Sequence, residues 1–460
     1  MLSASITVKR VGCIAVAALC ASVSDAQENT PFSRYGLGDA YPAQPVAARA
    51  MGGLSAAFID AQSVNSANPA SYGYFNRLVT YDLGLSLDSR TMNSRVPQGS
   101  FRSANLIPAY LQIGIPLNSK KGWGAAFGLK PVTRISYNVH DGGRLNNEDS
   151  IAHYYEGNGG LNQAFIGLGK RWKNFSIGVN GGFYFGRKNI STRTLLTSLH
   201  DTADIRRYYT GNAANTVSFH GAFAMMGIQY QLPLKTIEDK TNKTNQQYFL
   251  RLGATGSLKQ KISASQDISR ETLTFDPARD NDTVHIDSVY RLTGKTGKIQ
   301  LPASYTAGIM LGKSITNSIG RFDQWLVGIQ YESTQWTDFR LMGEPDKLRN
   351  SWMLRVGGQL TPDALRAKNF WSRTTYRLGF YTGKDYIDPD GNGLKITALS
   401  FGFGFNLRKQ NNYNNQFTQI NTSFELGKRG SNVNNITENF FKFSIGLSLS
   451  DIWFIKKKYD

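Results

Sequence analysis

One pattern recurs along this chain and limits what it can fold into. Apolar residues alternate with polar or small ones, at period two, over stretches of about ten residues. In "FSIGVNGGFYFG", Phe175, Ile177, Val179, Phe183 and Phe185 fall on one face, with Ser176, Gly178, Asn180, Gly182 and Tyr184 on the other. In "TALSFGFGFNL", Thr397, Leu399, Phe401, Phe403, Phe405 and Leu407 alternate with Ala398, Ser400, Gly402, Gly404 and Asn406. "FKFSIGLSLS" sets Phe441, Phe443, Ile445, Leu447 and Leu449 against Lys442, Ser444, Gly446, Ser448 and Ser450. Successive side chains of a strand point to opposite faces, so each stretch is a strand with one apolar and one polar face.

Length indicates where the apolar face goes. Globular strands run about 5–6 residues. A tilted strand crossing a bilayer needs about 9–11, which is closer to these stretches. A soluble sandwich would bury the apolar face; a membrane barrel turns it to lipid and keeps the polar face in the lumen. Beyond the N-terminus no apolar run approaches the ~20 residues of a spanning helix. The 46 Gly, 22 Tyr and 26 Phe suit an all-β protein.

Strands are expected near 78–90, 103–117, 121–139, 152–172, 174–192, 215–232, 246–263, 300–313, 323–339, 350–361, 374–385, 394–408, 414–428 and 438–453. That is about 14, an even number, as an up-and-down antiparallel barrel requires. With the N-terminus starting in the periplasm, the connections after even strands should be short. "NSKK", "WKN" and "KQNNYNN" obey, while 233–245 is longer and fits less well. The long connections 193–214 and 264–299 fall outside. Trp123, Trp172, Trp325 and Trp453 are expected at periplasmic strand ends, and Trp336 and Trp352 toward outer ends, forming two aromatic girdles. Core-filling tryptophans are the plain alternative.

Residues 1–26 have the form of a secretory leader: Lys9-Arg10, the apolar "VGCIAVAALC", then small residues before a cut after Ala26. Cys20 offers a lipoprotein alternative, against which Leu19 stands where a small residue is needed. Both cysteines, Cys13 and Cys20, lie in this leader. The mature chain then has no disulfide scaffold, thiol nucleophile or cysteine-ligated metal. The formal charge of +19 is spread along the chain without a nucleic-acid-binding signature, so no nucleic-acid partner is expected. A basic rim facing anionic lipid, or a plain solvated surface, accounts for it.

Catalytic signals are weak, and neither an enzyme nor a cofactor is expected. The histidines show no metal-ligand spacing, and Ser218 with His220 reads as a lumen-facing polar pair. "DPDGNG" places Asp388, Asp390 and Asn392 at calcium-loop offsets, but Leu399 occupies the position of the bidentate Glu. It reads as an outer turn with at most weak calcium affinity. Pro108 and Pro131 are more informative, because they interrupt the second and third strands. Proline donates nothing to a ladder, so two neighbouring prolines mark either a tolerated bulge or an opening in the wall.

Ahead of the strands, "ARAMGGLSAAFIDAQSVNSANPASYG" is rich in small residues and ends in Asn68-Pro69-Ala70. Such residues suit a segment packed tightly inside a lumen, with Pro69 stiffening a turn and Asn68 satisfying backbone groups. This stretch resembles the N-terminal segment of FadL/TodX-type outer-membrane transporters of hydrophobic compounds. The match covers about 30 residues, and Asp60 with Gln62 stands where that family has an acidic pair. The resemblance implies a 14-stranded barrel with an N-terminal hatch, and hydrophobic ligands leaving sideways through the wall near the third strand. The expected organisation is therefore a leader (1–26), a hatch (27–77) and a transmembrane barrel (78–460) in the outer membrane of a Gram-negative bacterium. The expected function is passive uptake of fatty-acid-like or aromatic molecules, with outer-membrane lipids and a hydrophobic small molecule as partners. An accessory barrel subunit among other envelope proteins, or a general porin, are the alternatives.

Overall fold

The computed structural model describes residues 30–75, 78–145, 149–198, 209–239, 244–276, 282–316, 321–363, 369–389, 391–407 and 418–451. The period-two pattern becomes a wall of antiparallel strands. In chain order they are β1 (Asp39–Ala40), β2 (Val79–Ser94), β3 (Gly99–Asn118), β4 (Trp123–Pro131), β5 (Thr133–Leu145), β6 (Asp149–Trp172), β7 (Phe175–Ser198), β8 (Thr210–Asp239) and β9 (Thr244–Ser257). They continue as β10 (Gln260–Asp276), β11 (Asp282–Leu301), β12 (Ser304–Thr316), β13 (Arg321–Thr334), β14 (Arg340–Leu341), β15 (Ser351–Leu360), β16 (Thr375–Lys384), β17 (Lys395–Asn406), β18 (Thr418–Arg429) and β19 (Ile436–Asp451).

The wall closes where β19 pairs with β2, from Asp451↔Val79 to Ile436↔Ser94. The result is a closed 14-stranded antiparallel barrel. Three wall strands are each made of two segments: β4 with β5, β9 with β10, and β11 with β12. Among the described residues no helix is long and apolar enough to cross a membrane.

Burial is inside out relative to a soluble sandwich. Leu83, Leu111, Ile166, Phe183, Ile309, Ile329 and Leu378 are exposed on the outer surface, while Asp82, Gln112, Asn180, Gln229, Gln330 and Ser400 are buried. An apolar exterior of this extent is stable only against hydrocarbon.

Two expectations about connections change. The awkward 233–245 connection shortens, because β8 runs to Asp239 and β9 starts at Thr244. The stretch 264–299, expected as an outer loop, is a β-hairpin. β10 pairs with β11 from Gln260↔Leu301 to Asp276↔Asp282, with three register shifts that break its alternation.

The third wall strand is broken. β4 pairs with β3 as far as Leu129 and with β6 as far as Pro131. Beyond it, β5 pairs with β6 from Ile135↔Gly159 to Leu145↔Asp149, but not with β3. The outer half of β3, Gly99 to Tyr110, pairs with β2 alone. The edge of β5 is instead taken by β1 of the N-terminal segment, Asp39↔Arg134 and Ala40↔Thr133, and Tyr41 N–H donates to Val132 O at 2.9 Å.

Candidate functional site

Residues 30–75 lie against the inward faces of the wall, and only Arg34, Ala40 and Ala43 among them are exposed. Their deep limb, from the one-turn helix Val46–Arg49 to Phe75, contains little regular structure. Its backbone groups therefore need side-chain partners. Gln330 Oε1 accepts from Ser55 and Ala56 N–H, both at 2.8 Å. Asp82 accepts from Val64 N–H at 3.0 Å, and Gln112 donates to Val64 O at 3.0 Å. Gln229 donates to Ala56 O at 2.9 Å, Asn180 to Ser66 O at 3.0 Å and Arg355 to Gly52 O at 3.0 Å. The polar strand face predicted from sequence is spent largely on this segment.

A belt of glycines lets the two backbones touch. A Cβ on Gly178 would lie 2.3 Å from Pro69 backbone atoms, and one on Gly227 would lie 2.1 Å from Asn68 Oδ1. The same holds at Gly253 against Ala56 O (2.0 Å), Gly357 against Met51 O (2.4 Å) and Gly379 against Gly52 N (2.0 Å). Gly124 meets Tyr72 O and Gly402 meets the Ala50 methyl. These glycines sit on seven different wall strands.

Asn68 is fully buried. It caps the 3-10 helix Pro69–Tyr74 with its Oδ1 accepting from Ala70 N–H at 3.0 Å, and Pro69 fills the first helical position. Its Nδ2 donates to Ala56 O at 2.5 Å and to Ile228 O at 3.4 Å, tying the turn to both the segment and the wall. Asp60 closes a local turn, accepting from Gln62 N–H at 2.8 Å and Ser63 Oγ at 3.3 Å. Burial raises the Asp60 carboxyl above its ordinary range.

The outer limb, Thr30 to Tyr41, is held by charge. Asp39 meets Arg90 of β2 at 2.7 Å and Arg429 of β18 at 3.0 Å. Arg90 also meets Asp88 (2.8 Å) and Glu438 (3.3 Å), and Arg429 meets Glu438 (3.3 Å) and Asp385. Burial pushes the Asp39 carboxyl up, but Arg429 and Arg90 outweigh it and hold it down at about 2. Thr30 donates to Glu438, Tyr386 Oη donates to Gly38 O, and Lys188 Nζ donates to Arg34 O and Gly36 O at 2.7 Å each.

Beside this limb is a cavity of 390 Å³ lined by Ala40, Tyr41, Val132, Thr133, Leu161, Trp336, Tyr386 and Phe440, and by the charged Arg90, Arg355, Glu332 and Lys442. It reaches the β1–β5 pairing at the break in the wall. Across that break Arg134 donates to Asn105 Oδ1 of β3 at 3.4 Å.

Pro131 ends β4 at the break itself. Pro108 lies on the outer face of β3 beside a register shift against β2, where Gly84 pairs with Tyr110 and Leu85 with Pro108. Trp123 and Trp172 are exposed at the turn ends of β4 and β6. Trp325 packs edge-on to Tyr248, and Trp352 stacks on Tyr331. Trp336 departs from its expected place in the outer girdle. It sits in a turn after β13, stacked on Tyr386 at 4.3 Å over the cavity. Trp453 and Asp390 lie outside the described residues. Trp371, not singled out in the sequence, is 62% exposed in the turn before β16. Ser218 and His220 are not lumen-facing: their neighbours Val217 and Phe219 are buried and they are exposed. Asp388 accepts from Gly393 N–H at 2.7 Å and faces Arg349 at 3.6 Å, while Asn392 is exposed. Among the described residues no group of three His, Cys, Asp or Glu side chains is placed to hold a metal ion.

A family model described as BamG matches residues 7–460. The chain belongs to the BamG family. No curated protein sequence matches it. Among solved structures, a Pseudomonas aeruginosa FadL homologue is similar with TM-score 0.53 at 12% identity, over 90% of this chain and 99% of that one. The Pseudomonas putida toluene transporter TodX is similar with TM-score 0.51 at 13% identity, over 88% of this chain and 98% of that one. At such identities the likeness is one of fold: the BamG-family chain has the barrel architecture of FadL/TodX-type proteins, as the resemblance at Asn68-Pro69-Ala70 implied.

Proposed function

We propose that this protein is an outer-membrane barrel that passes small hydrophobic or amphipathic molecules, fatty-acid-like or aromatic, sideways through its wall. The observation that carries the reading is the unpaired stretch between the outer half of β3 and β5, occupied by β1 and bordered by the 390 Å³ cavity. Residues 27–77 act as a plug that denies polar solutes an axial path. A ligand enters the cavity from outside, displaces β1 from the β5 edge and leaves into the bilayer. No cofactor is needed, since burying alkyl chain supplies about 0.8 kcal/mol per CH₂. The charged residues around the cavity favour an amphiphile with a polar head over a bare hydrocarbon.

A second reading, a permanently closed accessory barrel in an envelope assembly, is favoured by the glycine belt, which leaves the deep limb no room to shift. Mass spectrometry of small molecules retained by the purified protein separates the two. The transfer reading expects a bound amphiphile that a cavity-filling Ala40→Trp variant loses. Absence of any bound or bindable amphiphile, with stable co-purification of other envelope proteins, supports the accessory reading.

A further inference from the structure

Two adjacent turns at the end of the barrel expected to face the periplasm carry a cluster of positive charge. The β3–β4 turn supplies Lys120 and Lys121, the end of β6 supplies Lys170 and Arg171, and the β6–β7 turn supplies Lys173. The turns are joined, since Trp123 pairs with Lys170 and Arg171 N–H donates to Gly122 O at 2.8 Å. Neither "PLNSKKGWG" nor "LGKRWKNFS" contains an acidic residue. Among the described residues none of the five cations has a carboxylate within ion-pair distance, whereas Arg321, at the same end, has Asp323 at 3.7 Å.

The cluster is framed for a membrane interface. The Lys170 ammonium lies 4.7 Å from the centre of the Trp123 ring and 5.6 Å from that of Trp172, and both indoles are exposed on the outer surface. Exposed tryptophans at a strand end mark the head-group level. Lys173 holds φ 49 in a two-residue turn, a conformation that favours Asn or Gly. A lysine kept there places its charge at the tip of the hairpin at a conformational cost.

We propose that these turns form a binding site for the phosphate of an anionic phospholipid in the periplasm-facing leaflet. Lys120, Lys121 and Lys173 contact the head group, and Trp123 and Trp172 flank the upper acyl chain. The site is independent of any transfer through the wall. Native mass spectrometry of the full chain in detergent, with dioleoyl phosphatidylglycerol or dioleoyl phosphatidylethanolamine at equal concentration, tests it. Phosphatidylglycerol adducts should predominate, and each cation removed should weaken them about fivefold. The exposed triple variant Lys120→Gln, Lys121→Gln, Lys173→Gln should lose the preference. The corresponding arginine triple should keep it, as should Lys313→Gln on another sector of the rim. Folding of each variant is checked by heat-modifiable gel mobility. Equal binding of the two lipids, or an unchanged preference in the glutamine triple, overturns the site. Displacement of phosphatidylglycerol by millimolar inorganic phosphate, with phosphate adducts in its place, overturns the lipid assignment in favour of a free-phosphate site.

Discussion

Gly178 and Gly181 are near neighbours on β7, yet they should respond differently to the same substitution. A Cβ on Gly178 meets Pro69 at 2.3 Å, while one on Gly181 finds its nearest neighbour at 3.7 Å. Gly178→Ala should lower stability by about 1–3 kcal/mol through overpacking, and Gly181→Ala should be near neutral. Thermal unfolding in detergent checks both. Asn68→Ala removes a cap and two backbone contacts and should cost roughly 1–3 kcal/mol, chiefly by leaving Ala70 N–H without its side-chain partner, since Ala56 O keeps Gln229. Asn68-Pro69 was legible in sequence because a proline after a capping residue announces a turn. The glycine belt was not. Gly178, Gly227 and Gly253 look like ordinary polar-face positions, and their partners lie more than a hundred residues away in sequence.

At the scale of elements, β1 is the piece most exposed to perturbation. It pairs over two residues only, and Asp39 supplies its ionic anchor. Asp39→Asn leaves Arg90 with Asp88 and Glu438, and Arg429 with Asp385 and Glu438. The loss should therefore stay at about 1.5–3 kcal/mol, below that of an orphaned buried charge. Amide exchange should accelerate at residues 36–41 while residues 64–75 stay protected. The pH dependence has a definite sign. The folded-state Asp39 pKa, about 2, lies below its unfolded value, so its contribution is complete above about pH 4 and fades as the pH falls toward 2. Protection of β1 amides, taken relative to their intrinsic exchange rates, should thus fall in that acid window and stay level between pH 5 and 8.

Pro131 drew attention to the third strand because proline cannot continue a ladder, although the sequence left a bulge and an opening as alternatives. The β10–β11 hairpin stayed hidden for the opposite reason. Its three register shifts scramble the alternation, and much of β11 is exposed, so no single apolar face is selected.

For the whole molecule, the sequence established a membrane barrel because lipid outside and polar lumen inside leave the same period-two signature on strands as far apart as β7, β17 and β19. It did not establish how far the lumen is filled, since that depends on contacts between residues 30–75 and the wall. Removing residues 27–76 should turn a silent barrel into one with steady ionic currents in planar bilayers. Unchanged silence would show that the segment does not act as the plug.

If molecules leave through the wall between β3 and β5, holding those two strands together should stop them. The expected absence of cysteine from the mature chain makes a clean test available. Asn105→Cys with Arg134→Cys places two thiols where Arg134 now bonds Asn105 across the break, and a short bifunctional reagent can bridge them. The measurement is uptake of a fluorescent fatty acid into proteoliposomes before bridging, after bridging and after release with a cleavable reagent. With lateral exit, uptake should stop on bridging and return on release. Uptake indifferent to the bridge, or absent throughout, would exclude exit between β3 and β5.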